Sequence, residues 1–350
     1  MKIGITRLSG NITDKNSTII GNYETLKIAE LLKRFTEVDI LTCKECQGCI
    51  SIDENYDINQ YDRLLIVNDS ANMFGGLEIT TMTTVYKLLA KYNKPITYVL
   101  TDLNLPFVNY WDVIKGKSWN NYKEEDFKLK FPINIISQGK DTDLARNLHE
   151  KKGIEVGKVV YIPLNEWGAF LLKPVKSINR PIDLIYGGSF RGGKREKKLI
   201  EYYFNKEGLN VELYGTIRLN QFKKLPENCI VPNFGKKVEA NSIVENNSKA
   251  LATVLIGDKE YQNNMVTLRF IEALLAETIC FIDNDFDKEH TLLPEEFYVN
   301  NESQLVEKIY RIKHDSIYYN NLLNQQKLAL QEIKNRNMPK QLYNTIEELA

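Results

Sequence analysis

The chain has 350 residues, of which 43% are hydrophobic and 26% charged, and its 46 basic and 46 acidic side chains give a formal net charge of zero. This length suits two domains, and the balanced charge neither indicates nor excludes nucleic acid, so any polyanion site depends on local clustering. No apolar run is long enough to span a bilayer, and the N-terminus resembles a strand rather than a signal peptide, so we expect a cytoplasmic protein without a membrane partner.

Short strands rich in Ile, Val and Leu recur through the first half of the chain. The predicted strands are Lys2–Thr6, Val38–Thr42, Arg63–Val67, Ile96–Leu100, Ile133–Ser137 and Val159–Ile162. Helical patterns lie between them, at Tyr23–Phe35 and Glu78–Lys91 among others. Alternating strands and helices of this kind predict a parallel sheet with crossover helices.

A second alternating series follows Pro174 and Pro181. Its predicted elements are the strands Ile182–Tyr186, Val211–Tyr214, Ala252–Ile256 and Ile279–Ile282, and the helices Glu196–Phe204 and Thr267–Glu277, before a mostly helical end at 304–349. The sequence therefore predicts an α/β fold with two Rossmann-like, doubly wound domains, 1–172 and 173–332, facing a central cleft. Ligands bind at the carboxyl ends of the strands in such folds.

The segment from Gly187 to Arg195 carries the strongest local signal. Two glycines follow a predicted strand, and Ser189, Arg191 and Arg195 surround the start of the next helix. A glycine turn, free helix amides and arginines together suit a diphosphate. A solvated glycine turn before a basic helix would show the same residues.

Polar residues follow two further predicted strands. Arg269 and Glu272 share one face of a predicted helix, so one side chain is suited to phosphate and the other to ribose hydroxyls, with a surface salt bridge as the alternative. Asp102 follows the strand Ile96–Leu100, where a carboxylate is well placed as a general base. Glu24, early in the first helix, is expected to reach the same cleft, although both carboxylates also suit helix or turn caps.

Two segments suggest contact with nucleic acid. The loop from Asn68 to Gly76 presents Met73 and Phe74, and an apolar wedge of this kind can enter a disrupted base stack. The stretch 111–130 interleaves lysines, including Lys115 and Lys117, with aromatic residues, although its acidic residues dilute the basic patch and composition alone favours a solvated loop.

Three of the five cysteines, Cys43, Cys46 and Cys49, have the spacing of metal ligands. A structural zinc site needs four ligands, and no fourth lies nearby in the sequence. An odd count in a chain without a secretory signal argues against a disulfide framework. We therefore predict reduced loop thiols and no metal-binding residues.

Taken together, these segments resemble the phage DNA beta-glucosyltransferases. The resemblance rests on YDRLLIVNDSANMFGG from Tyr61, TDLNLPF from Thr101, ISQG from Ile136, DLIYGGSFRGGKRE from Asp183 and IGDKEYQNNMVTLRFIE from Ile256. Their order and spacing extend over nearly the whole chain. The resemblance implies a GT-B fold in which a C-terminal helix, 333–350, packs back on the N-terminal, DNA-binding domain, while the second domain binds a UDP-sugar.

The resemblance also implies roles for individual residues. Asp102 matches the proposed catalytic base and Glu24 a second carboxylate near the donor sugar. The implied donor-binding residues are Ile20, Ser189, Arg191, Arg195, Gly215, Lys237, Val238, Asp258, Tyr261, Arg269 and Glu272, and those facing DNA are Asn72, Met73, Phe74 and Gly75, beside Lys115 and Lys117. The segment 234–238, which faces uracil in the family, is one residue shorter here.

The implied reaction is inverting transfer of a sugar, glucose in the first instance, from a UDP-sugar to 5-hydroxymethylcytosine in double-stranded phage DNA. It involves base flipping, a magnesium or manganese ion as an auxiliary, and a monomeric enzyme in the host cytoplasm. Three alternatives remain: another donor such as a pentose, another acceptor such as 5-hydroxymethyluracil DNA or a glycan, or a non-catalytic module that binds UDP or DNA.

Overall fold

The structure is a computed structural model, and it describes most of the chain. The described residues are 1–12, 20–68, 79–103, 105–118, 120–177, 179–189, 194–223, 225, 227–236, 238–239, 242–257, 261–262 and 264–349, with the backbone alone at 20–23, 189 and 194. The chain divides into two compact units, Met1–Trp167 with Asn337–Ala350, and Gly168–Arg336. Within the described ranges, no helix has the length and apolar character needed to cross a membrane.

The first unit is built on a seven-stranded sheet with strand order β3-β2-β1-β4-β5-β6-β7. The strands are β1 Lys2–Arg7, β2 Glu37–Thr42, β3 Ile50–Ser51, β4 Arg63–Val67, β5 Thr97–Leu100, β6 Ile133–Ser137 and β7 Val156–Tyr161. Every pairing is parallel. Its helices are α1 Ile20–Leu32, α2 Ile79–Lys91, α3 Tyr110–Ile114 and α4 Thr142–Glu150. The central strands are buried on both faces, which explains their continuous apolar sequences.

The second unit has a six-stranded parallel sheet with strand order β10-β9-β8-β11-β12-β13. Its strands are β8 Ile182–Ser189, β9 Val211–Thr216, β10 Asn233–Phe234, β11 Ala250–Leu255, β12 Ile279–Asp283 and β13 Tyr298–Val299. The helices are α5 Trp167–Leu171 at the boundary, α6 Lys194–Tyr203, α7 Ile243–Asn247, α8 Leu268–Leu275, α9 Glu302–His314 and α10 Ser316–Asn335. The units divide at Trp167 and Asn337, whereas the sequence placed the boundaries after residues 172 and 332.

The last helix, α11 Met338–Glu348, belongs to the first unit. Arg63 of β4 donates from Nε to the carbonyl of Ile346 and from Nη2 to that of Glu347, both at 3.1 Å. Asn134 of β6 donates to the carbonyl of Leu349 at 3.0 Å. Side chains of β4 and β6, the two strands on either side of β5, therefore satisfy carbonyls at the end of α11, which otherwise have no partner within the helix.

The predicted strand Ile182–Tyr186 ends too early, because the glycines after it were interpreted as a turn. The structure continues β8 through Gly187 and Gly188 to Ser189, in register with Tyr214, Gly215 and Thr216 of β9. A Cβ at Gly187 would lie 2.3 Å from the ring of Tyr214. The glycine therefore keeps the strand paired beside a large ring, a role that the sequence alone does not reveal.

Candidate active site

Each sheet changes winding direction at one place in its strand order. In the first unit the chain leaves β1 for β2 on one side and returns to β4 on the other, and in the second unit β8 lies between β9 and β11 in the same way. Ligands of doubly wound folds bind outside the carboxyl ends of the strands at such positions. Most of the predicted site residues that the structure describes follow these strands or begin the helices beside them.

In the first unit, a hydrogen-bonded group joins the ends of β4 and β5 to helix α1. Asn68 Oδ1 accepts the backbone N–H of Thr101 at 2.7 Å. Thr101 Oγ1 lies 2.6 Å from Asn68 Oδ1 and 2.6 Å from Glu24 Oε2. Glu24 is therefore bound to the loop that carries Asp102 and is not a helix cap, and the charge of Asp102 acts on it. That both carboxyl groups line one cleft stays a prediction.

The electrostatic surroundings of Glu24 favour its neutral form. The pKa of Glu24 is raised to about 7, mainly by burial and also by the charge of Asp102, while Thr101 and the guanidinium of Arg7 act in the opposite direction. Arg7 ends β1, is 5% exposed and donates to the carbonyl of Asn11. Two carboxyl groups with different surroundings suit a division of roles between an acid and a base.

In the second unit, two glycine-containing strands approach closely. Gly188 of β8 pairs with Gly215 of β9, and a Cβ at Gly215 would lie 1.9 Å from the carbonyl oxygen of Gly188. Gly215 also has a φ of +119°, in the region that favours glycine. The backbone of β8 therefore occupies the position that a side chain at Gly215 would need, and its contact with a nucleotide stays a prediction.

Arg269 and Glu272 lie on α8 at the same edge of the second sheet. Arg269 Nη1 donates to the hydroxyl of Tyr186 at 2.5 Å, and its guanidinium lies 5.0 Å from the centre of that ring. Glu272 is only 3% exposed, and burial raises its pKa to about 7 against the opposing charge of Arg269. The alternative of a surface salt bridge is wrong because Glu272 is buried.

Three other predicted donor residues are partly or fully buried in the second unit. Arg195, the second residue of α6, is 5% exposed, and Tyr261 is 9% exposed. Val238 packs against a core cluster that includes Ile185 and Tyr214. Residues in such positions can shape the site through their packing as well as contact a ligand.

The two lysines predicted to face DNA are exposed. Lys115 forms an ion pair with Asp112 at 2.5 Å. Two aromatic residues of the same stretch pack together: Phe127 is 5% exposed, and Tyr122 packs edge-on against it. The exposed lysines, including Lys117, leave their charges available for phosphate contact.

Several predicted residues lie outside the described part of the chain. They are Asn72, Met73, Phe74, Gly75, Arg191, Lys237 and Asp258, together with the side chains of Ile20 and Ser189. The sequence interpretation also did not predict three residues that hydrogen-bond within these groups. Thr101 contacts Glu24 and Asn68, and Tyr186 contacts Arg269. Tyr186 directly precedes the glycine pair, which is the one signal that pointed to it.

The prediction of reduced cysteines is wrong for two of them. Cys46 and Cys49 form a disulfide, while Cys43, Cys229 and Cys280 are free. The bridge closes a loop of three residue steps after β2, a local pairing that a count of cysteines cannot exclude. Among the described residues, no group of three or more His, Cys, Asp or Glu side chains is arranged to hold a metal ion.

Comparisons with known proteins place this arrangement in a family. The family model of bacteriophage T4 beta-glucosyltransferase matches residues 1–168. The DNA beta-glucosyltransferase of Enterobacteria phage T4 is 37% identical over 333 residues, which cover 92% of each chain.

Solved structures agree with the sequence match. An aspartate-to-alanine mutant of T4 phage BGT in complex with UDP-glucose superposes with a TM-score of 0.88 at 33% identity, over 100% of this chain and 99% of that one. T4 phage BGT in complex with UDP and Mn²⁺ gives a TM-score of 0.87 at 33% identity and the same coverage. The predicted α/β GT-B fold is confirmed, and the chain belongs to the T4 beta-glucosyltransferase family, a family of glycosyltransferases.

Proposed function

We propose that this protein transfers glucose from UDP-glucose to the hydroxymethyl group of 5-hydroxymethylcytosine in double-stranded DNA, with inversion at the anomeric carbon. The observation that carries the proposal is the 37% identity over 92% of both chains to the DNA beta-glucosyltransferase of phage T4. The approach of Glu24 and Asp102 at one sheet edge supports it, as does the glycine and arginine site of the second unit.

The acceptor side of the reaction belongs to the first unit. A paired cytosine holds its 5-substituent in the major groove, so the nucleotide is flipped out of the stack to reach a buried site. Asp102 accepts the proton of the hydroxymethyl group as its oxygen attacks the anomeric carbon. The loop of Asn72 to Gly75 approaches the distorted duplex, and Lys115 and Lys117 contact phosphates.

The donor side belongs to the second unit. As the bond to the sugar breaks, negative charge grows on the UDP that leaves. Arg269 stabilises this charge, with Arg191, Arg195 and the amides at the start of α6. Tyr186 accepts a hydrogen bond from Arg269 and so fixes the direction of its guanidinium. Glu272 accepts hydrogen bonds from the ribose hydroxyls, and Gly215 allows the nucleotide to approach the backbone.

A divalent ion has an auxiliary place in this proposal. One structural relative was solved with UDP and Mn²⁺. The described residues supply no ligand group of their own for a metal ion, so an ion here would be held mainly by diphosphate oxygens and water. Such an ion would neutralise charge on the leaving group.

The direct test is transfer of labelled glucose to duplex DNA that contains 5-hydroxymethylcytosine. The wild type is expected to label this duplex and not an unmodified one, and Asp102→Ala to lose at least about 10²-fold in kcat because the general base is gone. Asp112→Ala, which removes an exposed aspartate paired with Lys115, is the matched control and should retain kcat. Full activity in Asp102→Ala would remove that residue from the base role.

The choice of sugar and base needs a separate measurement. Mass spectrometry of product nucleosides, with a panel of UDP-sugars and with 5-hydroxymethylcytosine or 5-hydroxymethyluracil duplexes, distinguishes the substrates. A mass increase of one hexose on hydroxymethylcytosine alone is expected. UDP binding without transfer to any acceptor would instead favour a non-catalytic module. We propose action as a monomer, which sedimentation of the enzyme with and without DNA would test.

A further inference from the structure

Side-chain oxygen atoms of Asn68, Thr101 and Glu24 make two short contacts at the edge of the first sheet. Two hydrogen bonds need two protons, and one of these protons must come from Glu24. The orientation of the Asn68 amide is fixed first. Its Oδ1 accepts the backbone N–H of Thr101 at 2.7 Å, and only the amide oxygen can accept. The atom that Asn68 presents to Thr101 is therefore an acceptor without a proton.

Thr101 Oγ1 then contacts two oxygen atoms at short range. It lies 2.6 Å from Asn68 Oδ1 and 2.6 Å from Glu24 Oε2. Oxygen atoms approach this closely when a proton lies between them. Two such contacts need two protons, whereas the hydroxyl of Thr101 has one. The second proton must therefore come from Glu24, which gives the chain Glu24 Oε2–H to Thr101 Oγ1–H to Asn68 Oδ1.

Most of the surroundings agree with this proton count, although a hydrogen bond donated by Thr101 would favour the carboxylate. Glu24 is half-buried on α1, and burial is the main cause that raises its pKa. Of the charged groups that face it, Asp102 from the loop after β5 also favours the neutral form, and Arg7 from the end of β1 opposes it. The backbone N–H of Asn68 is bonded to the carbonyl of Val99, so the amide side chain is held at the end of the sheet.

We propose that Asn68 and Thr101 are positioning residues that hold Glu24 as a neutral acid and leave Asp102 as the single base of the pair. This inference rests on the proposed function for the role of Asp102. A neutral Glu24 spares the site a second negative charge where a UDP-sugar and a DNA acceptor, both anionic, must bind. Glu24 and Asp102 thus act differently, because Glu24 faces the Thr101 hydroxyl, whose single proton is already donated to Asn68.

The proposal predicts the direction of change when the acceptor is removed. In Asn68→Ala the hydroxyl of Thr101 is free to donate to Glu24, which stabilises the carboxylate and lowers the pKa of Glu24 by about one pH unit or more. In the double variant Asn68→Ala/Thr101→Val no hydroxyl is present, so the pKa of Glu24 rises again. Thr101→Ser keeps the hydroxyl and is the matched control, with a titration like that of the wild type.

The measurement is a carbon-13 NMR titration of glutamate carboxyl groups in the full chain, with the signal of Glu24 assigned through its loss in Glu24→Gln. A wild-type midpoint well above that of a free glutamate, lowered in Asn68→Ala and restored in the double variant, supports the proposal. A wild-type Glu24 that is already ionised at pH 5, or a midpoint that does not change in Asn68→Ala, overturns it. The wild-type titration alone decides the matter if Asn68→Ala does not fold.

Activity gives a second readout that a purely structural role would not change. If the neutral acid is the active form, kcat/KM for glucose transfer falls as pH rises through the titration midpoint of Glu24, and this limb moves to lower pH in Asn68→Ala. An unmoved limb in a folded Asn68→Ala enzyme contradicts the proposal. The NMR titration needs neither donor nor DNA, so failure of the proposed function and failure of the proton chain give different results.

Discussion

Gly215 occupies a backbone position that a side chain cannot share. Its φ of +119° is strained for other residues, and a Cβ would lie 1.9 Å from the carbonyl oxygen of Gly188. We expect Gly215→Ala to lower the free energy of unfolding by at least about 2–3 kcal/mol and to weaken UDP binding, since β8 and β9 must separate. Urea unfolding and calorimetry with UDP measure the two effects.

The chain provides a matched control for this substitution. Gly153 has a φ of +71°, and a Cβ there would have no neighbour within 4 Å. Gly153→Ala should therefore cost only the backbone strain, about 1 kcal/mol, with UDP affinity unchanged. Equal losses in the two variants would show that the approach of Gly188 and Gly215 has no effect of its own.

Glu272 makes stability depend on pH. Its folded pKa is about 7, above the value of 4.5 for a free side chain, so between these values the folded state keeps a proton that the unfolded chain releases. Rising pH in this window therefore favours unfolding, by about 3 kcal/mol in all. Glu272→Gln should remove this pH-dependent loss of stability. The variant should therefore be more stable than the wild type at pH 8 but not at pH 4.5. It should also bind UDP more weakly.

The check on Glu272 is urea unfolding between pH 4.5 and 8. Glu332→Gln, at an exposed glutamate of α10, is the control and should follow the wild type at every pH. A difference between Glu272→Gln and the wild type that stays constant with pH would contradict the assignment of a buried, neutral carboxyl group.

At the scale of elements, helix α6 is held to the end of β12 by one buried carboxylate. Asp283, 3% exposed, accepts from Lys198 Nζ at 2.7 Å and from the hydroxyl of Tyr202 at 2.5 Å. Lys198 and Tyr202 are one helical turn apart on α6, whose first turn contains Arg195. The direction of helix α6, which carries the predicted donor-binding residue Arg195, therefore depends on Asp283.

We expect Asp283→Asn to lower the free energy of unfolding by about 3 kcal/mol, because it leaves Lys198 without its closest anion. The KM for UDP-glucose should rise more than kcat falls, since α6 shifts while Asp102 is untouched. Steady-state kinetics and urea unfolding test both effects. Asp112→Asn, in the exposed pair with Lys115, is the control. An unchanged KM in Asp283→Asn would show that the anchor does not position the helix.

The sequence predicted the long central elements well and the short or non-local features poorly. Arg63–Val67 and Ile133–Ser137 were predicted with their observed bounds because buried parallel strands are continuous apolar runs. The edge strands β3, β10 and β13 have two residues each, too few to form a pattern. Asp102 could be found because it follows a strand, whereas the contact of Asn68 with Thr101 joins residues 33 apart and depends on strand order.

At the scale of the whole molecule, the last helix, α11, packs into the first unit. Met338, Leu342, Ile346 and Leu349 are each at most 2% exposed, and Arg63 and Asn134 bind the last carbonyls of this segment. Each such side chain contributes about 1.5–3 kcal/mol when buried. Their sum is comparable to the whole stability of a typical domain, so we expect the first unit to depend on α11.

Truncation after Arg336 should therefore expose the amides of the first sheet while the second unit stays folded, because the contacts of α11 described above all lie in the first unit. Hydrogen exchange with mass spectrometry would show loss of protection in peptides of β1, β4 and β6, and retained protection in β8, β11 and β12. Leu328→Ala, at a residue of α10 that is 65% exposed, is the control for loss of an apolar side chain and should change neither unit. Full protection of β4 and β6 in the truncated chain would mean that α11 only covers a sheet that is already stable. Loss of protection in both units would mean that the two fold as one cooperative body.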